Sequence, residues 1–128
     1  MGSVRPLYPA FLDIRGRRCV VVGGGSVGER KAKGLLSASA RVVVISPDVS
    51  RGLSELAEAG RLEWVVREYR TGDLAGAFLA FAATDLPEVN EAVLEEARAL
   101  GTLLNLAAGT EDGDFVVPSL LRRGEMHV

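Results

Sequence analysis

Three glycines at fixed spacing, Gly23, Gly25 and Gly28 in "GGGSVG", follow directly on the apolar run "CVVV" that begins at Cys19. A charged, helix-forming segment comes next. The pattern is G-x-G-x-x-G, and its chemical meaning comes from the strand before it and the helix after it. Gly23 permits a tight turn, Gly25 lets the backbone approach a pyrophosphate with no side chain in the way, and Gly28 allows close helix-to-strand packing. The helix N-terminus then offers unpaired N–H groups and partial positive charge to the phosphates. The chemistry implied is dinucleotide binding.

Two further stretches belong to the same expectation. The second apolar run ends in "VVVISPD", with Ser46 where an acidic residue commonly holds the adenosine ribose and Asp48 just beyond Pro47. Asp48 can serve the ribose or simply start the next helix, and Arg51 leaves a 2′-phosphate, hence NADP, open. At the end of a later run, "AATD" puts Ala83, Thr84 and Asp85 at the carboxyl edge of the expected sheet, where small residues let a cofactor lie close. Asp85 also reads as a helix cap, with Glu88 three residues on, and the two roles are compatible.

The elements that must position these residues are legible as alternating patterns. "CVVV", "RVVVI" from Arg41, "FLAFAA" from Phe78 and "TLLNLAA" from Thr102 read as parallel strands buried on both faces. "LEWVVREY" from Leu62 reads as a further strand nearer an edge, because charges flank its apolar centre. Helical spacing covers Val27 to about Ser39, Ser50 to Ala59 and Pro87 to Leu100, and Gly101 suits a left-handed stop. Strand and helix alternate, so the expected fold is α/β, a Rossmann-like doubly wound parallel sheet ordered 3-2-1-4-5. The tail "DFVVPSLLRRGEMHV" offers strand-like "FVV", interrupted by Pro118 and Gly124.

At 128 residues and 48% hydrophobic content, one sizeable core is expected. The formal charge of −2 gives no reason to expect nucleic acid or an anionic membrane as partner. One cysteine excludes an internal disulfide framework and multi-cysteine metal sites, which fits a reducing, cytoplasmic setting. No run of about 20 apolar residues offers a membrane span. Cys19 reads as a small core residue, and His127, the single histidine, as incidental; no bound metal is expected.

Taken together and in order, "YPAFLDIRGRRCVVVGGGSVGERKAKGLL", "FAATDLPEVNEAV" and "LLNLAAGTEDGDFVVPSLLRRGEM" resemble the N-terminal module of siroheme synthases, the precorrin-2 dehydrogenase family. The resemblance implies an enzyme that uses NAD⁺ to oxidise precorrin-2 to sirohydrochlorin, some members inserting ferrous iron afterwards. It implies cofactor contacts at Gly25, Ser26 and Val27, at Ser46, Pro47 and Asp48, and at Ala83, Thr84 and Asp85. It also implies a homodimer. Residues 1–115 would form the NAD-binding domain, and 116–128 would begin the segment leading to the family's dimerisation and substrate region, which is absent here.

One departure bears on the chemistry. Where the family carries an aspartate as proposed general base, three residues after the asparagine of the fifth strand, this chain has Ala108 after Asn105. Alanine cannot move a proton. Glu111, Asp112 and Asp114 follow on an acidic loop that reads first as a solvated turn, with Asp112 and then Asp114 the fallback substitutes for the missing base. Arg122 and Arg123 are candidates to meet the substrate's carboxylates, although adjacent arginines in a tail more often form a solvated surface, and Arg30, Lys31 and Lys33 read as exposed helix residues. Two functions therefore stand: an active dehydrogenase module, or an NAD(H)-binding regulatory module that has lost its base.

Overall fold

The computed structural model describes residue 6 and residues 8–106. Its five strands are β1 (Arg18–Val22), β2 (Arg41–Ile45), β3 (Glu63–Val65), β4 (Leu79–Ala82) and β5 (Leu103–Leu106), and its helices are α1 (Ser26–Ser37), α2 (Arg51–Glu58) and α3 (Pro87–Leu100). The strands form one sheet in the order β3-β2-β1-β4-β5, every neighbouring pair parallel. This is the Rossmann-like order expected from the alternating pattern. The strand order reverses between β1 and β4, which opens a crevice above their carboxyl ends.

Valine-rich strands suit this sheet because both of its faces are covered. Successive residues of β1 point to opposite sides, so Cys19 and Val21 pack with Val42, Val44 and the α1 and α2 residues Ala32, Leu35 and Leu53. Val20 and Val22 pack with Val43, Ile45 and the α3 residues Val93, Leu94 and Ala97. Two helices thus cover one face and the third covers the other. No helix joins β3 to β4: residues 66–78 cross over as a loop, and Leu74 of that loop is fully buried in the α3-side cluster.

Several boundaries differ from the sequence reading. β3 spans three residues rather than the eight of "LEWVVREY", because after Val65 the chain is drawn off the sheet by side-chain tethers. Arg67 makes a two-pronged ion pair with Asp73, at 2.9 and 2.7 Å, and Tyr69 donates to Glu96 of α3. α3 begins as expected but is not capped by Asp85. Leu86 occupies the cap position with no side-chain hydrogen bond, and Thr84 Oγ1 instead accepts from the Leu86 N–H at 3.1 Å. Asp85 is left exposed with Pro87 fixing the first turn. Gly101 ends α3 at φ 73°, the left-handed stop expected.

Candidate functional site: a cleft at the carboxyl edge of the sheet

The ends of β1, β2 and β4 enclose a cleft of about 620 Å³. Gly23, Gly25, Ser26 and Val27 line it with Ser46, Pro47 and Asp48 and with Ala83, Thr84 and Asp85, so three stretches far apart in sequence meet in one place. Gly28 is buried one turn inside α1.

The glycines have separate reasons for being glycine. Gly23 sits at φ 123°, and a Cβ there would overlap the Ala83 carbonyl. A Cβ on Gly24 would overlap the Asp48 carbonyl and crowd Val49, and one on Gly28 would overlap the Gly23 carbonyl. For Gly28 the sequence reading needs refinement: the tightest neighbour is the loop's own backbone, with the β1 side chain Val21 standing off at 3.6 Å. Gly25 is different. A Cβ there meets no protein atom within 4 Å, and its φ of −86° is open to any residue. Its bare Cα faces open cleft, as required where a ligand backbone must come close.

The helix ends divide in the same way. Ser50 caps α2, accepting from the Leu53 N–H at 3.2 Å and donating to Glu29 Oε1 at 2.6 Å. No side chain caps α1, whose first-turn N–H groups lie at the cleft. The residues therefore fit a dinucleotide: a loop without Cβ atoms, a bare Gly25 and an uncapped helix N-terminus converge where a pyrophosphate would lie.

The β2 end is a stitched turn. Ser46 Oγ donates to the Asp48 carbonyl at 2.6 Å, the Ser46 carbonyl accepts from Trp64 Nε1 at 2.8 Å, and the Ser50 N–H donates to the Gly24 carbonyl at 2.7 Å. Asp48 does not start α2, since that place belongs to Ser50. Arg51 points along α2 to Glu55 at 3.2 Å and is not part of the cleft wall. Thr84 is held by Asn90, whose Oδ1 accepts from Thr84 Oγ1 at 2.9 Å and whose Nδ2 donates to the Thr84 carbonyl at 3.0 Å.

Glu68 and Tyr69, which follow β3, also line the cleft and were missed from sequence. Their residue types give no signal; only the crossover loop brings them there. With them the described lining holds three carboxylates, Asp48, Glu68 and Asp85, and no lysine or arginine. Lys33 pairs with Glu29 at 2.8 Å, and Lys31 is half-buried with its ammonium 5.7 Å from the Phe81 ring centre, a correction to its reading as simply exposed. Among the described residues no group of three or more His, Cys, Asp or Glu side chains could hold a metal ion, and no helix is long and apolar enough to cross a membrane. Ala108, Glu111, Asp112, Asp114, Arg122, Arg123 and His127 lie outside the described residues, as does the proposed boundary after residue 115.

Residues 10–119 match the family described as "Putative NAD(P)-binding". The siroheme synthase of Chromobacterium violaceum is 41% identical over 121 residues, covering 94% of this chain and 26% of that protein. Siroheme synthase 1 of Aeromonas salmonicida is 37% identical over 120 residues, with 94% and 26% covered. The chain thus spans about a quarter of the length of the curated relatives it matches. Among solved structures, the one titled "SirC, precorrin-2 dehydrogenase" superposes with a TM-score of 0.80 at 31% identity, covering 88% of this chain and 55% of that one. The chain belongs to the NAD(P)-binding family, and over nearly its whole length it is a relative of siroheme synthases and of precorrin-2 dehydrogenase.

Proposed function

We propose that this chain is the NAD-binding module of a cytoplasmic, homodimeric precorrin-2 dehydrogenase, which oxidises precorrin-2 to sirohydrochlorin. The carrying observation is the convergence of a dinucleotide-shaped cleft with similarity to siroheme synthases over 94% of the chain. Bound NAD⁺ supplies the hydride acceptor. The chain's own residues do the rest: the Gly23–Gly28 backbone and the first turn of α1 hold the pyrophosphate, Ser46–Asp48 face the adenosine side, and Ala83–Asp85 leave room for the nicotinamide side at the end of β4. NAD rather than NADP is favoured because the described cleft wall carries carboxylates and no cation to meet a 2′-phosphate.

That wall has a second consequence. Precorrin-2 carries many carboxylates, and three acids with no base cannot hold them. The substrate's acidic groups must be met elsewhere, with Arg122 and Arg123 as candidates in this chain.

Besides the hydride acceptor that bound NAD⁺ would supply, the oxidation needs a base in the chain to take one further proton. Ala108 supports a second reading, an NAD(H)-binding module without turnover, because a missing carboxylate costs on the order of 10²–10⁴ in rate. The test is anaerobic incubation of the full-length protein with precorrin-2 and NAD⁺, following NADH beside an Ala108→Asp version. Turnover by the natural sequence supports the dehydrogenase and makes Asp112 and Asp114 the next residues to replace. Silence from the natural sequence with turnover in the aspartate version would establish the second reading.

A further inference from the structure

We propose that Glu68, on the β3–β4 crossover loop, is the residue that selects NAD over NADP by accepting hydrogen bonds from the adenosine ribose. The proposal rests on the dinucleotide reading of the cleft. In doubly wound folds the ribose acceptor usually stands at the end of β2. Here that position is Ser46, and its polar groups already hold the turn: N–H to the Val65 carbonyl at 3.2 Å, carbonyl from Trp64 at 2.8 Å, hydroxyl proton to Asp48 at 2.6 Å. What remains of Ser46 toward a ligand is a neutral acceptor. A carboxylate accepts a hydrogen bond from a ribose hydroxyl about twice as strongly.

Glu68 stands one strand further from the glycine loop, beyond β2, on the side where the adenosine half would extend. Its exposed carboxylate takes no part in the bonds that fix its neighbours, but its backbone is held on both sides. Arg67 Nη1 donates to the Glu68 carbonyl at 3.0 Å while the guanidinium grips Asp73, and Tyr69 donates to Glu96 Oε1. Glu96 Oε2 in turn accepts from the Gly72 N–H at 2.9 Å and the Leu74 N–H at 3.3 Å. A clamped loop that sets an exposed glutamate at the cleft is pre-organised for a ligand. Asp48, the other acid on this side, belongs to a turn whose backbone packs against Gly24, nearer the pyrophosphate cradle. A 2′-phosphate beside Glu68 would meet a like charge, with no lysine or arginine among the described residues that line the cleft and with the Arg67 guanidinium engaged by Asp73.

The test measures NAD⁺ and NADP⁺ affinity of the full-length protein by calorimetry, with fluorescence of this 128-residue chain, whose single tryptophan is Trp64, as a second readout. Glu68→Gln, Glu68→Arg and Asp48→Asn are compared with the parent. The expected results are a parent that prefers NAD⁺, about tenfold weaker NAD⁺ binding in Glu68→Gln, and about tenfold tighter NADP⁺ binding in Glu68→Arg. An unchanged NAD⁺/NADP⁺ ratio in both Glu68 variants, or a ratio that moves in Asp48→Asn alone, overturns the assignment while leaving dinucleotide binding intact. A parent that binds neither nucleotide overturns the dinucleotide reading itself.

Discussion

Gly23 and Gly25 stand two residues apart in one motif, yet the structure gives them opposite sensitivities. Gly23 needs its left-handed backbone and has the Ala83 carbonyl against it, so Gly23→Ala should cost about 2–4 kcal/mol in urea denaturation through strain and overpacking. Gly25→Ala should cost under about 1 kcal/mol, since its Cβ would meet no protein atom. Its effect should fall on the ligand instead, weakening NAD⁺ by tenfold or more (about 1.4 kcal/mol) in a calorimetric titration. Should the two substitutions unfold the protein equally, with NAD⁺ affinity untouched by Gly25→Ala, the cradle reading would be wrong. The spacing alone marked all three glycines of the motif but could not divide them, because the division depends on which atoms lie across the loop.

At the scale of elements, two ties hold the cleft's rim. Ser50 links α2 to α1 by capping its own helix and donating to Glu29, whose other oxygen pairs with Lys33. Ser50→Ala should therefore lower stability by about 1 kcal/mol through the lost cap, with Ser50→Thr recovering most of it in the same denaturation assay. The second tie is the crossover loop. The Arg67 guanidinium beside Asp73 holds that carboxyl below its ordinary range, with partial burial opposing and the Arg70 N–H assisting. A lowered carboxylate contributes stability that is complete above the unfolded value of about 4 and is lost as pH falls through the folded value. Unfolding free energy should thus drop as pH falls below about 4. The drop should be shallower in Asp73→Asn; equal slopes would show that the ion pair adds nothing. Burial and the Glu96 carboxylate push the Tyr69 hydroxyl above its usual range, so it remains the donor in this second tether.

For the whole molecule, Cys19 is a built-in reporter. It is fully buried in the central strand, and burial pushes its thiol up, so the native state should resist alkylation and label only on unfolding. If NAD⁺ binds the folded chain alone, nucleotide at about 100 times Kd should add about 2.7 kcal/mol and slow labelling about 100-fold. Labelling unaffected by saturating NAD⁺ would mean that Cys19 is reached by a local opening. One measurement thereby joins the core to the site, because the same β1 strand carries both Cys19 and the glycine loop at its end.

What the sequence determined by itself is whatever depends on near neighbours along the chain. Apolar runs on both faces of a strand, helical spacing, the left-handed stop at Gly101 and the strand-loop-helix setting of Gly23, Gly25 and Gly28 are local patterns, and the parallel order followed from their alternation. The tertiary structure alone decided what depends on atoms distant in sequence. It showed that Thr84 rather than Asp85 meets the Leu86 N–H, that Ser46 is committed to its own turn, and that β3 ends after three residues because Arg67 and Tyr69 are tethered to partners beyond the sheet. It also brought Glu68 and Tyr69 to the cleft. A crossover loop with no helical or strand period leaves no mark of its destination in the sequence, since its path is set by where the buried Leu74 and the Glu96 carboxylate pull it.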